Sequence, residues 1–115
     1  MPVDPDLLLI LKSNGLGDGE PDLGEKLMTS FLDVLLERET VPAKILCLNS
    51  GILLTTEGSP AAAQMKRLAD LGSQISTCGT CLDYFDRKEK LVVGEIGNMR
   101  ESVTAMLSFR RVLSP

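Results

Sequence analysis

The stretch Cys78-Gly79-Thr80-Cys81 contains the side chains of this sequence that are best suited to chemistry. It follows the short run Gln74–Thr77, which predicts a strand, and it precedes a segment that predicts a helix. Cys78 would lie just ahead of the helix and Cys81 in its first turn, where unpaired amides and the helix dipole favour a thiolate. Gly79 would let the backbone turn sharply and keep Cys78 accessible. We therefore expect a nucleophilic thiol here, the alternative being two small apolar side chains that fill the end of a strand.

Three chemistries could use this pair of cysteines. Dithiol–disulfide exchange is the first, but thioredoxin-like proteins usually have an aromatic residue before the pair and a cis-proline opposite it, whereas Thr77 precedes this pair and no proline lies between Pro60 and Pro115. A structural zinc site is the second; with only Cys47 and the pair available it would need carboxylates or a second subunit, so no metal is expected. Sulfur carriage is the third: one exposed thiolate accepts a sulfur atom as a persulfide and passes it on, without a cofactor.

A second loop, after the predicted second strand, contains residues that form turns and bond to the backbone. Its ends are Asn49-Ser50-Gly51 and Glu57-Gly58-Ser59. These residues either shape the loop or help to line a pocket beside the cysteines, and the pocket residues that we predict are Asn49, Gly51, Ser59, Gly79 and Thr80.

The composition excludes several classes of function. The chain has 115 residues and no histidine, which removes Ser-His-Asp and Cys-His catalytic pairs and imidazole acid–base chemistry. Lys and Arg number 12 against 16 Asp and Glu, and the resulting net charge of −4 argues against a nucleic-acid or anionic-membrane partner. Aromatic residues are 3% of the chain, too few for a platform on which bases stack.

The sequence also predicts a cytoplasmic protein. The longest uncharged stretches, Ile45–Thr56 and Leu71–Leu82, are shorter than the roughly 20 residues of a membrane-spanning helix. The first residues, Met1–Asp6, lack the basic and apolar regions of a secretory signal. Thiols in that compartment are expected to be reduced. The third cysteine, Cys47, lies in the apolar run Ile45–Leu48 and is predicted to be buried in the core.

Five strands alternating with four helices are predicted along residues 1–115, which we interpret as one domain. The strands are Leu7–Leu11, Lys44–Leu48, Gln74–Thr77, Leu91–Ile96 and Arg110–Leu113. The helices are Asp22–Glu39, Ala61–Leu71, a third that ends near Lys88 and a fourth that ends at Leu107. This alternation is typical of a three-layer α/β/α fold with a mostly parallel five-stranded sheet, whose ligands bind beyond the carboxyl ends of the strands.

Helix boundaries are marked by residues that favour helix ends. They are Ser59 with Pro60 before the second helix, Gly72 after it, a capping box Thr80-Cys81-Leu82-Asp83 for the third helix, and Asn98 for the fourth. The first helix has apolar residues on more than one stripe, Met28 and Val34 among them, so both of its sides are expected to be buried, one of them by self-association.

Short segments along nearly the whole chain match one family in that family's order. They are Leu23–Met28 with Phe31, Asn49–Gly51, Glu57–Ser59, Cys78–Asp83, Val93–Glu95 and Asn98–Met99. On these segments the sequence resembles the DsrE/DsrF-like sulfur-relay proteins, and most closely the DsrE-like domain of the YedF group of selenium-metabolism sulfurtransferase-like proteins. The combination CGTCLD, VGE and NM is more specific than any one segment.

The resemblance implies a single DsrE-like domain that forms homo-oligomers and relays sulfur or selenium. Its relay cysteine lies at the end of the third strand, which corresponds to Cys78, with Cys81 as a partner thiol. The TusA-type domain that usually precedes this domain in the YedF group is not found before Val3, so the chain is either a free-standing version or a fragment of a longer protein. We expect donor and acceptor proteins such as a separate TusA-like carrier. Two alternatives stay open, a non-catalytic oligomeric binding module and a dithiol/disulfide redox protein. The residues also leave open whether the protein turns over as a sulfurtransferase or only carries sulfur.

Overall fold

A computed structural model describes residues 2–115, and its centre is a five-stranded sheet in which all neighbouring strands are parallel. The strands are β1 Val3–Leu11, β2 Val41–Cys47, β3 Gln74–Cys78, β4 Glu95–Gly97 and β5 Arg111–Leu113. Their order across the sheet is β4-β3-β2-β1-β5. The helices are α1 Pro21–Leu36, α2 Ala62–Asp70, α3 Gly79–Tyr84 and α4 Met99–Ser108. The predicted α/β class and three-layer architecture are confirmed, and the sheet is fully parallel.

The two faces of the sheet are covered unequally. Helices α1 and α2 pack on one face over the larger core, whose buried side chains include Leu9, Leu32, Ile45, Met65 and Leu68. On the opposite face, α4 covers a smaller core formed by Leu8, Ile10, Leu46 and Ala105. Side chains alternate between the faces along each strand, which is why Leu8 and Leu9 belong to different cores.

The parallel register brings the carboxyl ends of the strands to one edge of the sheet. Leu11 of β1 pairs with Cys47 of β2, Cys47 pairs with Thr77 of β3, and Cys78 pairs with Gly97 of β4. A 3-10 turn, Asn49–Leu54, follows β2, and α3 follows β3. The two predicted loops with candidate site residues are therefore neighbours in space.

Strands β1 and β2 begin earlier than the sequence predicted, because prolines obscured their first residues. Val3 pairs with Val41 and Asp4 with Pro42, after which the register is irregular until Leu8. Pro5 has no N–H to donate, so it fits at this irregularity, where the ladder is interrupted.

Strand β4 is shorter than predicted and begins four residues later. Gly94 has φ +79°, and a Cβ at this position would lie 2.5 Å from the Ile75 carbonyl oxygen. Leu91 instead forms an isolated antiparallel bridge with Thr56. The glycine thus turns the chain onto β3 before the strand begins.

The predicted helix boundaries had mixed outcomes. Gly72, with φ +114°, ends α2 as expected, and the Asn98 side chain caps α4 by accepting the Glu101 N–H at 2.9 Å. Ser59 is not the N-cap of α2, which is Ala61; its Oγ accepts the Ala61 N–H in a turn one step before the helix. Helix α1 ends at Leu36, three residues before the predicted end at Glu39.

Within residues 2–115, no helix combines the length and the apolar character needed to cross a membrane.

Candidate functional site at the carboxyl end of β3

The predicted capping box at Thr80 is wrong, because the N-cap of α3 lies two residues earlier. Gly79 is its first residue and Cys78 is the N-cap, with no side-chain cap. A Cβ on Gly79 would lie 3.2 Å from Cγ2 of Ile96, so the small residue allows α3 to start close to β4. The helix ends at Tyr84 rather than near Lys88, because Asp86 adopts φ +54°.

Cys78 is buried, which corrects the expectation that the turn would expose it. Its side chain lies at the end of β3 with 6% of the residue exposed. Cys81, one helical turn further on, is partly exposed, and both thiols are free. The structure thus places the two predicted catalytic cysteines together but gives solvent access chiefly to the second.

Cys81 does not have the lowered pKa that we predicted from the helix dipole. Burial raises the pKa of the Cys81 thiol above its ordinary value, and the neighbouring Cys78 thiol raises it further. The backbone N–H of Asn49 lowers this pKa in part. Helix α3 has only six residues, so its dipole is a weak opposing influence.

Asn49 contributes its backbone to the site rather than its side chain. Its N–H donates to Sγ of Cys81 at 3.1 Å. The residue has φ +52°, a left-handed conformation that asparagine tolerates better than most residues. This conformation begins the 3-10 turn at the end of β2 and directs the amide towards α3.

Two buried contacts fix the 3-10 turn relative to the strands. The hydroxyl groups of Thr55 and Thr77 lie 2.8 Å apart, and both residues are fully buried. Gly51 packs so closely on β1 that a Cβ there would overlap the Leu11 carbonyl oxygen. Gly51 thus allows the turn to approach β1. Together with the Thr55 contact, this packing fixes the Asn49 amide beside Cys81.

The other predicted pocket residues are divided between two places. Thr80 is exposed and Gly79 is partly exposed, both in the first turn of α3. Ser59 belongs to the turn that leads into α2, where its hydroxyl bonds to Ala61. The structure therefore gathers Cys78, Gly79, Thr80, Cys81 and Asn49, with Gly51 as support.

Cys47 is fully buried in the larger core, as predicted. Burial raises the pKa of its thiol to about 12. A thiol in this state is unreactive near neutral pH, so only the other two cysteines are available for chemistry.

The sequence analysis missed a polar cluster on the α4 face of the sheet. One of its members, Ser76, precedes Cys78 by two residues. Glu101 of α4 accepts hydrogen bonds from Ser76 Oγ at 2.5 Å and from Lys44 Nζ at 3.0 Å, and together these hold the pKa of Glu101 below its ordinary value. Lys44 is buried except for 8% of its surface. A cavity of about 450 Å³ opens beside the cluster along α4. The signal was a lysine inside the apolar run of β2, together with a glutamate three residues after an N-cap asparagine.

No group of three or more Cys, Asp or Glu side chains in the described part of the chain is arranged to hold a metal ion.

No protein-family model and no curated protein matches this chain. Two solved structures are similar to it, the ychN protein from E. coli and a protein of unknown function, MTH1491, from Methanobacterium thermoautotrophicum. YchN is 15% identical with a TM-score of 0.67, and MTH1491 is 11% identical with a TM-score of 0.70. Each match covers 97% of this chain and 100% of the other. These likenesses show the fold alone, a three-layer α/β/α arrangement around a parallel five-stranded sheet.

Proposed function

We propose that this protein is a sulfur relay protein that carries a persulfide on Cys78, with Cys81 as the partner thiol. The observation that supports this most directly is the pair of free thiols at the start of α3, at the carboxyl end of β3, with the Asn49 amide on Cys81. The edge beyond the carboxyl ends of parallel strands is where such sheets bind their ligands. The DsrE-like fold of the chain is consistent with this function.

The CGTC pattern extends the proposal to a relay of the YedF type, for sulfur or selenium, with a TusA-like carrier as donor or acceptor. Sulfurtransferase activity would require turnover between two partners, whereas a carrier only has to be loaded and unloaded. Mixing the loaded protein with a TusA-like protein and following the sulfane sulfur by intact mass separates these roles.

The test is intact-protein mass spectrometry after treatment with glutathione persulfide, with and without reductant. We expect wild type and Cys47→Val to gain one sulfur atom that reductant removes, and the double variant Cys78→Ser/Cys81→Ser to gain none. Absence of an adduct on wild type would contradict the relay and leave a non-catalytic binding module.

A dithiol/disulfide redox protein is the second candidate, because Cys78 and Cys81 are both free and lie at the N-cap and in the first turn of the same helix. It predicts a different product in the same experiment. Wild type would lose two hydrogens rather than gain sulfur, and either single substitution would abolish that change.

We also propose that the protein forms homo-oligomers. Helix α1 buries Met28 but leaves Val34 53% exposed, and α4 leaves Leu107 82% exposed. Exposed apolar stripes of this kind are typical of protein contacts. Sedimentation velocity should show a species larger than one chain that Val34→Glu or Leu107→Glu reduces. A single-chain species at every concentration would contradict this proposal.

A further inference from the structure

The two thiols of the pair differ in access, which bears on the order in which they act. Thiol exchange requires the attacking sulfur to reach the donor sulfur directly, so its rate depends on exposure. Cys78 has 6% of its surface exposed and lies at the end of a buried strand, whereas Cys81 is partly exposed on α3. A donor approaching from solvent therefore meets Cys81 first.

Cys81 also accepts the amide hydrogen bond. The Asn49 N–H, 3.1 Å from Cys81 Sγ, stabilises negative charge on that sulfur. Because Thr55 and Gly51 fix the turn that begins at Asn49, the amide is in position before any donor arrives. It would also stabilise Cys81 each time that this sulfur leaves as a thiolate.

We infer, on the basis of the proposed relay, that Cys81 receives the sulfur from the donor and that Cys78 then takes it from Cys81 and stores it in a buried position. Cys78 remains the carrier in this scheme. Cys81 becomes the thiol that exchanges with partners.

Both steps transfer a neutral sulfur atom between thiolates and need no oxidant. In the first, the Cys81 thiolate, having lost its proton to solvent, attacks the outer sulfur of a donor R–S–SH. A bond from Cys81 Sγ to that sulfur forms, the donor S–S bond breaks, and the donor leaves as a thiolate with the electron pair.

In the second step, Cys78 attacks the terminal sulfur of the Cys81 persulfide. The new bond joins Cys78 Sγ to the transferred sulfur, the bond to Cys81 Sγ breaks, and Cys81 leaves as a thiolate. The proton that Cys78 gives up is taken up by the departing Cys81 thiolate, so charge and protons balance. Unloading to an acceptor follows the same two steps in reverse.

Time-resolved intact mass with glutathione persulfide tests this order on the single variants. Cys81→Ser should lower the initial rate of sulfur uptake by at least about tenfold, whereas Cys78→Ser should take up one sulfur atom at least as fast as wild type. Fragmentation of loaded wild type should place the sulfur on Cys78. Far-UV circular dichroism of each variant checks that it is folded.

Fast uptake by Cys81→Ser with none by folded Cys78→Ser would overturn the inference while leaving the relay intact. Absence of uptake by wild type would instead contradict the relay itself. If Cys78→Ser does not fold, alkylation of wild type decides the order: iodoacetamide should modify Cys81 before Cys78, and the reverse order would overturn the inference.

Discussion

At the scale of single residues, the Cys81 thiol is partly buried beside Cys78 and accepts a hydrogen bond from the Asn49 amide. Burial is the main cause that raises the pKa of Cys81, the neighbouring Cys78 thiol raises it further, and the Asn49 amide lowers it in part. The net result is a thiol that is mostly protonated at rest. A partner that excludes the neighbouring thiol or adds a positive charge would therefore activate it.

The raised pKa of Cys81 predicts how its alkylation depends on pH. Because the thiolate is the nucleophile, the rate should be low near neutral pH and should still rise above pH 9.0, the ordinary value for a cysteine. Cys78→Ala removes one cause of the shift, so the variant should react faster near neutral pH. Iodoacetamide kinetics across this range provide the measurement. An alkylation rate that stops rising below pH 9.0 would show that the Asn49 amide lowers the pKa of Cys81 by more than burial and Cys78 raise it.

Some of this chemistry could be predicted from sequence and some could not. The positions of Cys78 and Cys81 around a strand–helix junction and the burial of Cys47 follow from local pattern. The hydrogen bond from the Asn49 N–H to Cys81 could not be foreseen. It joins residues 32 positions apart, and its donor is a backbone group that the residue type does not reveal. The capping-box pattern at Thr80 misled for the same reason: packing on β4 set the start of α3.

At the scale of elements, the 3-10 turn Asn49–Leu54 holds β1, β3 and α3 together at the candidate site. It packs on Leu11 through Gly51 and is joined to Thr77 through Thr55. These two contacts set the position of the Asn49 amide relative to β1 and β3. Sequence predicted an irregular loop here, but the close backbone approach depends on the neighbouring strand.

Gly51→Ala tests the role of this turn. The added methyl group would overlap the Leu11 carbonyl oxygen, so we expect a loss of about 2 to 3 kcal/mol in the free energy of unfolding. Displacement of Asn49 should also slow sulfur uptake. Gly19→Ala is the matched control, because a Cβ there has no neighbour within 4 Å. Urea unfolding measures both, and equal midpoints for the two variants would contradict the packing argument.

The ion pair of Lys44 and Glu101 connects β2 to α4 and gives a second prediction. Glu101→Ala leaves a nearly buried ammonium group without its carboxylate and should cost about 2 kcal/mol of unfolding free energy. Adding Lys44→Met removes the unpaired charge, so the double variant should regain much of that loss. A double-mutant cycle by urea unfolding measures the coupling. Additive losses would show that solvent screens the pair.

At the scale of the whole molecule, Cys47 connects stability to alkaline pH. Its pKa of about 12 in the folded state lies above the ordinary 9.0, so folding favours the neutral thiol. This contribution is fully present below pH 9.0 and is lost as the pH rises towards 12, up to about 4 kcal/mol.

The urea midpoint of wild type should therefore fall more steeply with pH above 9.0 than that of Cys47→Val. Other titrating groups are common to both proteins, so the difference between the curves isolates this thiol. If the urea midpoints of the two proteins fell in parallel with pH, Cys47 would ionise in the folded protein as readily as in the unfolded chain, which would contradict its raised pKa.

The two edges of the sheet have a consequence for aggregation. Strands β4 and β5 contain three residues each, and the charged residues Glu95 and Arg111 stand at their starts, Arg111 paired with Asp4. Short, charged edges offer few free backbone groups to a strand from another molecule. Edge-to-edge polymerisation is thereby disfavoured, so the homo-oligomers that we propose would assemble through the helical faces rather than through added strands.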